Sequence, residues 1–342
     1  MNGTLEDGVV HVGGNARQQY YDARGYGRPL GGNEVELDPV EAAHLLFRGD
    51  LDTVDGMDFQ AFFSHVTGDG FAVRFQVYRD LRDRGFYLSP AREGWVEPTD
   101  DEDFVVFPRG NGPWNDEIAY RIRAVGERQR VPAASLGTLV LAVVDEEGEI
   151  TYFDTDELNI DGSSTFDLPA CSGTLIDDRV VVWEPPSDLY ASAFYGQPLG
   201  GRRMEDGPVQ LSLLEAAYLA ANGTLSVEGG VDAIVERGRE AEGDRFDRRL
   251  TVYTELRDRD VVPKTGFKFG ADFRTYAEVE SVSDLSHSEY LIRVLERDHA
   301  FALRELALDV RLAHGVRKRM VFALTDANDG TETWLSVGRL TP

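Results

Sequence analysis

The sequence predicts an α+β (mixed α/β) protein built as two tandem copies of one two-part unit. Three observations lead there. Six pairs of segments recur in the same order across the two halves of the 342 residues. Within each half, short apolar runs alternate with amphipathic stretches at helical spacing, the pattern of a mixed α/β unit. The apolar fraction of 42% is enough for real cores, so the strong acidity is not that of a disordered chain.

The repeats come first, because a fixed period decides the architecture. GTLEDGVVHV from Gly3 returns as GTLIDDRVVV from Gly173, an offset of 170, and YGRPLGG from Tyr26 returns as YGQPLGG from Tyr195, an offset of 169. VELDPVEAAHLLFRGDL from Val35 and VYRDLRDRG from Val77 return from Val209 and Val252, at 174 and 175. YRIRAV from Tyr120 returns from Tyr290 at 170, and LAVVDEEGEITYF from Leu141 returns from Phe322 at 181. The order is kept, and the drift reads as loop-length variation. Half of the chain is 171 residues, at Cys171.

Each copy divides in two. Residues 1–70 and 169–245 are predicted N-terminal α/β subdomains; 71–168 and 246–342 are predicted C-terminal mixed-sheet subdomains. Helices are predicted at 39–47 and 212–221, where Leu213, Ala216, Ala217 and Ala220 keep helical spacing. Stretches rich in glycine and acid near 68–70 and 240–244 read as linkers. Copy 2 continues with a helix at 252–259 and a glycine-broken hairpin, VVPKTGFKFGADFRTY. A strand at 290–295, a helix at 301–313 and strands at 320–325 and 333–337 complete it. Leu303, Leu306, Val310 and Ala313 form the core stripe of that helix. Arg311, His314 and Lys318 step by three and four on another face.

Composition narrows the setting. There are 61 acidic and 35 basic residues, and only Lys264, Lys268 and Lys318 among the cations are lysines. Acid spread over the whole chain, with arginine replacing lysine, fits a cytosol at molar salt, where the screening length is roughly 3 Å. The single Cys171 allows no internal disulfide, as in a reducing compartment. The start of the chain has no basic, apolar leader, and no run of about 18 apolar residues occurs. A cytoplasmic protein without membrane contact is expected. No phosphate-binding glycine loop is present, and one cysteine with dispersed histidines gives no zinc pattern.

Duplicated copies share a scaffold, so their differences mark where one copy acts. By register, Tyr276 faces Phe107, His287 faces Glu117 and Lys318 faces Gly137. Taken singly, Tyr276 reads as a strand aromatic, His287 as a loop histidine, and Lys318 as a helix-end cation favoured by the macrodipole. Together, a phenol, an imidazole and an amine vanish from copy 1. Those three groups suit cleavage of RNA without a metal. A 2'-hydroxyl attacks phosphorus when a base takes its proton; the leaving 5'-oxygen needs an acid; the phosphorane needs a fixed cation. Histidine suits the acid and lysine the cation. Tyrosine becomes a base where cations favour its phenolate.

The segments VYTELRDRD, VPKTGFKFGADFRTY, HSEYLIRV and VRLAHGVRKRMVFAL, over about residues 252–324, resemble the archaeal tRNA-splicing endonuclease family. The two-copy chain looks like its homodimeric class. The resemblance implies a metal-independent RNA endonuclease without cofactor, cutting precursor tRNA at bulge-helix-bulge junctions and leaving 2',3'-cyclic phosphate and 5'-hydroxyl ends. It implies catalytic roles for Tyr276, His287 and Lys318, and makes the C-terminal part of copy 1 a degenerate nuclease-like subdomain. Arg311 falls where the family holds a bulged base. A second base-holding arginine is expected near Thr333 and Trp334, where Trp334 could stack instead. Arg317, Lys264 and Lys268 are further candidates for RNA contact. The acidic loop Asp145, Glu146, Glu147, Gly148, Glu149 matches one the family docks into a basic notch of a neighbouring copy, and equally reads as a hairpin turn. The implied partners are precursor tRNA and a second copy of the chain, with neither DNA nor membrane.

Two other readings use the same residues. A metal-dependent nuclease would draw on Asp272, Glu278 and Glu280 with Lys268. A non-catalytic RNA-binding subunit would leave Tyr276, His287 and Lys318 idle.

Overall fold

Each copy opens with a small sheet, of five strands in copy 1 and four in copy 2, packed with a capped helix. The computed structural model describes residues 1–342 except 67, 69, 97–100, 116, 202–206 and 327–329. Copy 1 contributes helices α1 (Pro39–Arg48) and α2 (Phe71–Asp83). Copy 2 contributes α3 (Leu213–Ala221), α4 (Gly230–Glu242), α5 (Asp244–Asp258) and α6 (Leu303–Gly315). Helices α1 and α3 both begin with a capping box, Asp38 with Glu41 and Ser212 with Glu215, which satisfies orphan N–H groups at the first turn.

Ten strands form one continuous sheet. Copy 1 supplies β1 (Leu88–Pro90), β2 (Phe104–Val106), β3 (Tyr120–Gly126), β4 (Val140–Val144) and β5 (Ile150–Glu157). Copy 2 supplies β6 (Val262–Thr265), β7 (Phe273–Tyr276), β8 (Tyr290–Glu296), β9 (Arg319–Asp326) and β10 (Gly330–Leu340). The order is β6-β7-β8-β9-β10-β5-β4-β3-β2-β1. Only β3·β4 and β8·β9 are parallel. The last strand of each copy meets the other antiparallel, from Tyr152↔Leu340 to Glu157↔Leu335. Each pairing covers an edge that would otherwise invite strand addition.

The registers confirm the equivalence of the copies. Phe104 pairs with Ile122 as Phe273 pairs with Ile292. The Phe107 amide donates to the Tyr87 carbonyl, and Tyr276 pairs with Val262, its counterpart. The jump in offset from 170 to 181 is not a loop difference. Between β8 and β9 lies α6; between β3 and β4 the chain makes only Arg130–Pro132 and a 3-10 turn, Ala133–Ser135. Copy 1 lacks this helix. The face beneath is filled jointly, by Val131, Leu141 and Phe153 of copy 1 with Phe301, Leu306, Val310 and Phe322 of copy 2.

Other boundaries move as well. The helix expected at 252–259 begins at Asp244, because Phe246 and Tyr253 continue its buried face. Residues 240–244 are therefore no linker: α4 runs into α5 with a break at Gly243. The stretch expected as a linker at 68–70 lies partly outside the described residues. The strand at 333–337 is the middle of the longer β10. Between the copies, residues 158–168 lie along copy 2. The Gly162 amide donates to the Arg259 carbonyl at 2.9 Å, Ser163 to Ala277 at 2.8 Å and Ser164 to Asp260 at 2.9 Å.

Candidate active site

The site lies where β7 ends beside the starts of β8 and β9. Tyr276 is the last residue of β7; its ring is buried, 6% exposed, against Phe194 at 5.8 Å. Its hydroxyl has no protein partner among the described residues and keeps contact with solvent. His287 is exposed in the segment leading into β8. Lys318 immediately precedes β9. Three backbone contacts hold these stations together. The Glu289 amide donates to the Thr275 carbonyl at 3.2 Å, the Arg319 amide donates to the Glu289 carbonyl at 3.2 Å, and the Lys318 ammonium donates to the Ser288 carbonyl. Neighbouring strands are about 4.8 Å apart, so the backbones at Tyr276 and Lys318 are separated by one strand, roughly 10 Å, and His287 lies two residues before the Glu289 that links them.

Lys318 is aimed by the end of α6. The Lys318 amide donates to the Ala313 carbonyl at 2.9 Å, the Arg317 amide to the His314 carbonyl at 3.0 Å, and Arg317 holds φ 56°. This is a Schellman stop, with arginine in the left-handed position that favours glycine. Lys318 therefore does not share a helical face with Arg311 and His314, as its spacing suggests; α6 ends at Gly315 and the chain turns first. Arg311 and Arg317 are exposed, and neither has a carboxylate partner among the described residues. Burial, then the nearby Arg274 charge, lowers the pKa of the Lys318 ammonium.

Two candidates leave the RNA surface. Lys264 is in a buried ion pair with Glu215 at 2.6 Å and donates to the Phe194 and Gly196 carbonyls at 3.1 and 3.2 Å. All three acceptors surround an ammonium only 10% exposed, so none of its donors is left for a phosphate. Trp334 is 4% exposed within the core of copy 2, so its ring faces no base. Lys268 stays exposed on the 3-10 turn Phe267–Phe269, beside Phe267, which is 86% exposed.

The acidic loop joins β4 to β5 as a tight hairpin. Asp145 Oδ1 accepts from the Glu147 and Glu149 amides, each at 2.9 Å, and Glu146 pairs with Arg128. A cavity of about 520 Å³ opens in copy 2, lined by Arg179, Glu215, Glu242, Arg249 and Lys264. Its cations are already matched, Lys264 by Glu215 and Arg249 by Glu242 and Asp272, so it is not an unpaired basic notch. Asp272, a carboxylate of the metal reading, is spent on Arg245, Arg249 and the Val294 amide. No group of three or more His, Cys, Asp or Glu among the described residues could hold a metal ion, and no helix among them is long and apolar enough to cross a membrane.

Two charged residues beside the candidate site escaped the sequence reading. Arg274 lies two positions before Tyr276, its guanidinium 5.7 Å from that ring. Its copy-1 counterpart is Val105, a signal present in the repeat alignment. Arg319 crosses between copies to Asp154 at 2.9 Å and Asp156 at 2.6 Å, which no local pattern announces.

The ten-stranded mixed sheet carries Tyr276, His287 and Lys318 at one end of copy 2, and copy 1 has none of the three at the matching positions, a contrast that makes this end the candidate site of a nuclease. The model of the tRNA intron endonuclease catalytic C-terminal domain matches residues 246–333, and that of the tRNA intron endonuclease N-terminal domain matches residues 1–63 and 171–236. A protein of Haloarcula marismortui named tRNA-splicing endonuclease is 61% identical over 343 residues, covering 100% of both chains. One of the same name from Natronomonas pharaonis is 62% identical over 345 residues with the same coverage, and one from Methanosarcina acetivorans is 35% identical over 366 residues, covering 99% of each. The chain belongs to the tRNA intron endonuclease family and is an RNA endonuclease of tRNA splicing. Its acidity accords with its likeness to haloarchaeal relatives.

Proposed function

We propose that the chain excises introns from precursor tRNA at bulge-helix-bulge junctions, as a cytoplasmic two-fold homodimer with one working site per protomer. Tyr276 takes the proton of the 2'-hydroxyl as O2' bonds to phosphorus. The bond from phosphorus to O5' then breaks, and His287 protonates the departing oxygen. Lys318 offsets the charge of the pentacoordinate phosphorane. The products carry a 2',3'-cyclic phosphate and a 5'-hydroxyl; Tyr276 then releases the proton it gained to solvent, and His287 regains one from it.

One observation carries this reading. Tyr276 ends β7, His287 lies in the segment before β8 and Lys318 immediately precedes β9 on neighbouring strands, and all three are replaced together in copy 1, by Phe107, Glu117 and Gly137. Arg311, exposed on α6, is free to stack on an unpaired bulge base. Excision needs two cuts, and a two-fold dimer supplies two sites related by symmetry. Double-stranded RNA between the bulges is read by shape and 2'-hydroxyls rather than by base edges.

The test is incubation of the purified protein with a model bulge-helix-bulge RNA in EDTA and molar salt, followed by end-group analysis. Cyclic phosphate and 5'-hydroxyl ends are expected at both junctions. Cleavage abolished by EDTA would show that a metal is needed and overturn the metal-independent roles proposed for Tyr276, His287 and Lys318. No cleavage by the protein alone would make it a binding subunit.

A further inference from the structure

We propose that Arg274 is a fourth catalytic residue, a guanidinium that holds the scissile phosphodiester opposite Lys318. The inference rests on the reading of Tyr276, His287 and Lys318 as the cleavage site.

Three independent features point to it. The first is placement. Arg274 and Tyr276 are two apart on β7, so both project from one face of the sheet. The guanidinium lies 5.7 Å from the Tyr276 ring, and its charge reaches Lys318.

The second is the lack of a partner. In a chain with 61 acidic residues, most arginines of this structure find a carboxylate or a carbonyl. Arg274 has neither among the described residues, and its buried Nε has no hydrogen-bond partner. A buried guanidinium nitrogen left unpaired is costly. The Arg274 charge is felt at Lys318, and repulsion between the two cations adds to that cost. An anion between them relieves both, and a phosphodiester is the anion this enzyme meets. The guanidinium fork matches two phosphate oxygens, whereas an ammonium supplies a point charge. Arg274 and Lys318 thus divide the two non-bridging oxygens as the 2'-oxygen adds and the 5'-oxygen leaves.

The third is the other copy. Arg274 pairs with Leu291 in β8's register as Val105 pairs with Arg121 in β3's. Val105 is fully buried. The guanidinium has therefore been lost from the same copy as the phenol, the imidazole and the ammonium. A structural arginine would have had no reason to go with them, because the strand pairing it sits in is retained.

The test is single-turnover cleavage of a bulge-helix-bulge RNA by Arg274→Gln and Arg274→Ala. RNA affinity is measured separately with a substrate bearing a 2'-O-methyl at each scissile nucleotide, which binds but cannot be cut. The rate is expected to fall about 10²–10³-fold, the usual effect of removing one group that stabilises a developing anion. Affinity should stay within about threefold, and guanidinium chloride should restore at least part of the rate of Arg274→Ala but not of Lys318→Ala. A rate within about threefold of the unmodified enzyme overturns the proposal, as does a loss of rate matched by a loss of affinity. Should the truncations not fold, Arg274→Lys decides. It is expected to melt with the unmodified enzyme, bind RNA normally and lose about tenfold in rate; a loss of rate that follows a fall in melting temperature overturns the role. Absence of cleavage by the unmodified enzyme would instead overturn the proposed function itself, so the two failures are distinct.

Discussion

The Lys318 ammonium donates to the backbone carbonyl of Ser288, the residue that follows His287. A cation that precedes β9 thereby anchors the loop that carries the imidazole. The proposed charge-stabilising group and the proposed acid form one mechanical unit, and it is positioned by the Schellman turn at Arg317.

His287→Ala should lower single-turnover cleavage by about 10²–10⁴-fold, the usual contribution of a general acid, while leaving RNA affinity unchanged. Lys318→Arg should also cut slowly without melting earlier, because a planar fork cannot occupy the place of an ammonium held on the Ser288 carbonyl. Cleavage at the unmodified rate by either variant would refute its role.

Lys264→Met separates stability from chemistry. It strands the Glu215 carboxylate in a buried site and should lower the unfolding free energy by about 3–5 kcal/mol. Burial pushes the Glu215 carboxyl up, but the Lys264 ammonium and the Ser212 and Gly196 amides outweigh it, and the pKa falls from 4.5 to about 2. Burial lowers the pKa of Lys264 itself, while the 2.6 Å contact and two carbonyls favour its charged form. The carboxyl is depressed in the folded state, so the stabilisation is complete above about pH 4.5 and is lost as pH falls toward 2. Denaturant midpoints measured between pH 3 and 7 should rise with pH through this range in the unmodified enzyme and fall with pH in the variant, where the unpaired carboxyl is raised by burial as that of Glu41 is.

Copy 1 offers the converse. Glu41 sits as Glu215 does, in a capping box and accepting from the Gly27 amide at 2.9 Å, but Ser89 stands where copy 2 has Lys264. Burial raises its carboxyl from 4.5 to about 7. A raised carboxyl penalises the fold increasingly as pH rises from about 4.5 to 7, by up to roughly 3 kcal/mol. Ser89→Lys should remove that loss and raise stability at pH 7 more than at pH 4.5. Equal effects at both pH values would show that the lysine does not reach Glu41.

Gly162 fixes the connection between the copies. A Cβ there would lie 2.2 Å from the Asp260 carbonyl oxygen and 2.7 Å from that of Ala277, the residue after Tyr276. Gly162→Val should push this segment away, slowing cleavage about tenfold or more through misplacement of Tyr276. RNA affinity should change far less; an unaltered rate would make the segment a passive tether.

Reversing the charges of Asp145, Glu146, Glu147 and Glu149 should yield monomers on a sizing column if this hairpin joins protomers. Fully active dimers would reduce it to an ordinary turn.

The duplication, the mixed α/β class and the exceptional residues of copy 2 were all legible in one dimension. Repeats declare themselves by register, helices by period and caps, and a lost proton donor by comparison with its twin. Arg274 was legible by the same comparison, through Val105. The roles of Lys264 and Trp334 were not, because a cation or an aromatic has the same local spacing whether it meets solvent or a buried partner 49 residues away in Glu215. The missing helix of copy 1 looked like a shorter loop for a related reason: a deletion has a length but no shape.

By itself, the order of residues determined that one unit occurs twice and that only its second occurrence keeps a phenol, an imidazole and an amine. The tertiary structure alone decided that β5 and β10 close the two copies into one sheet, that Arg319 reaches Asp154 and Asp156 across the join, and that Arg274 is left without a counter-charge among the described residues. Local pattern follows from bonds along the chain, whereas burial and charge neighbours depend on segments that meet only after the chain has folded.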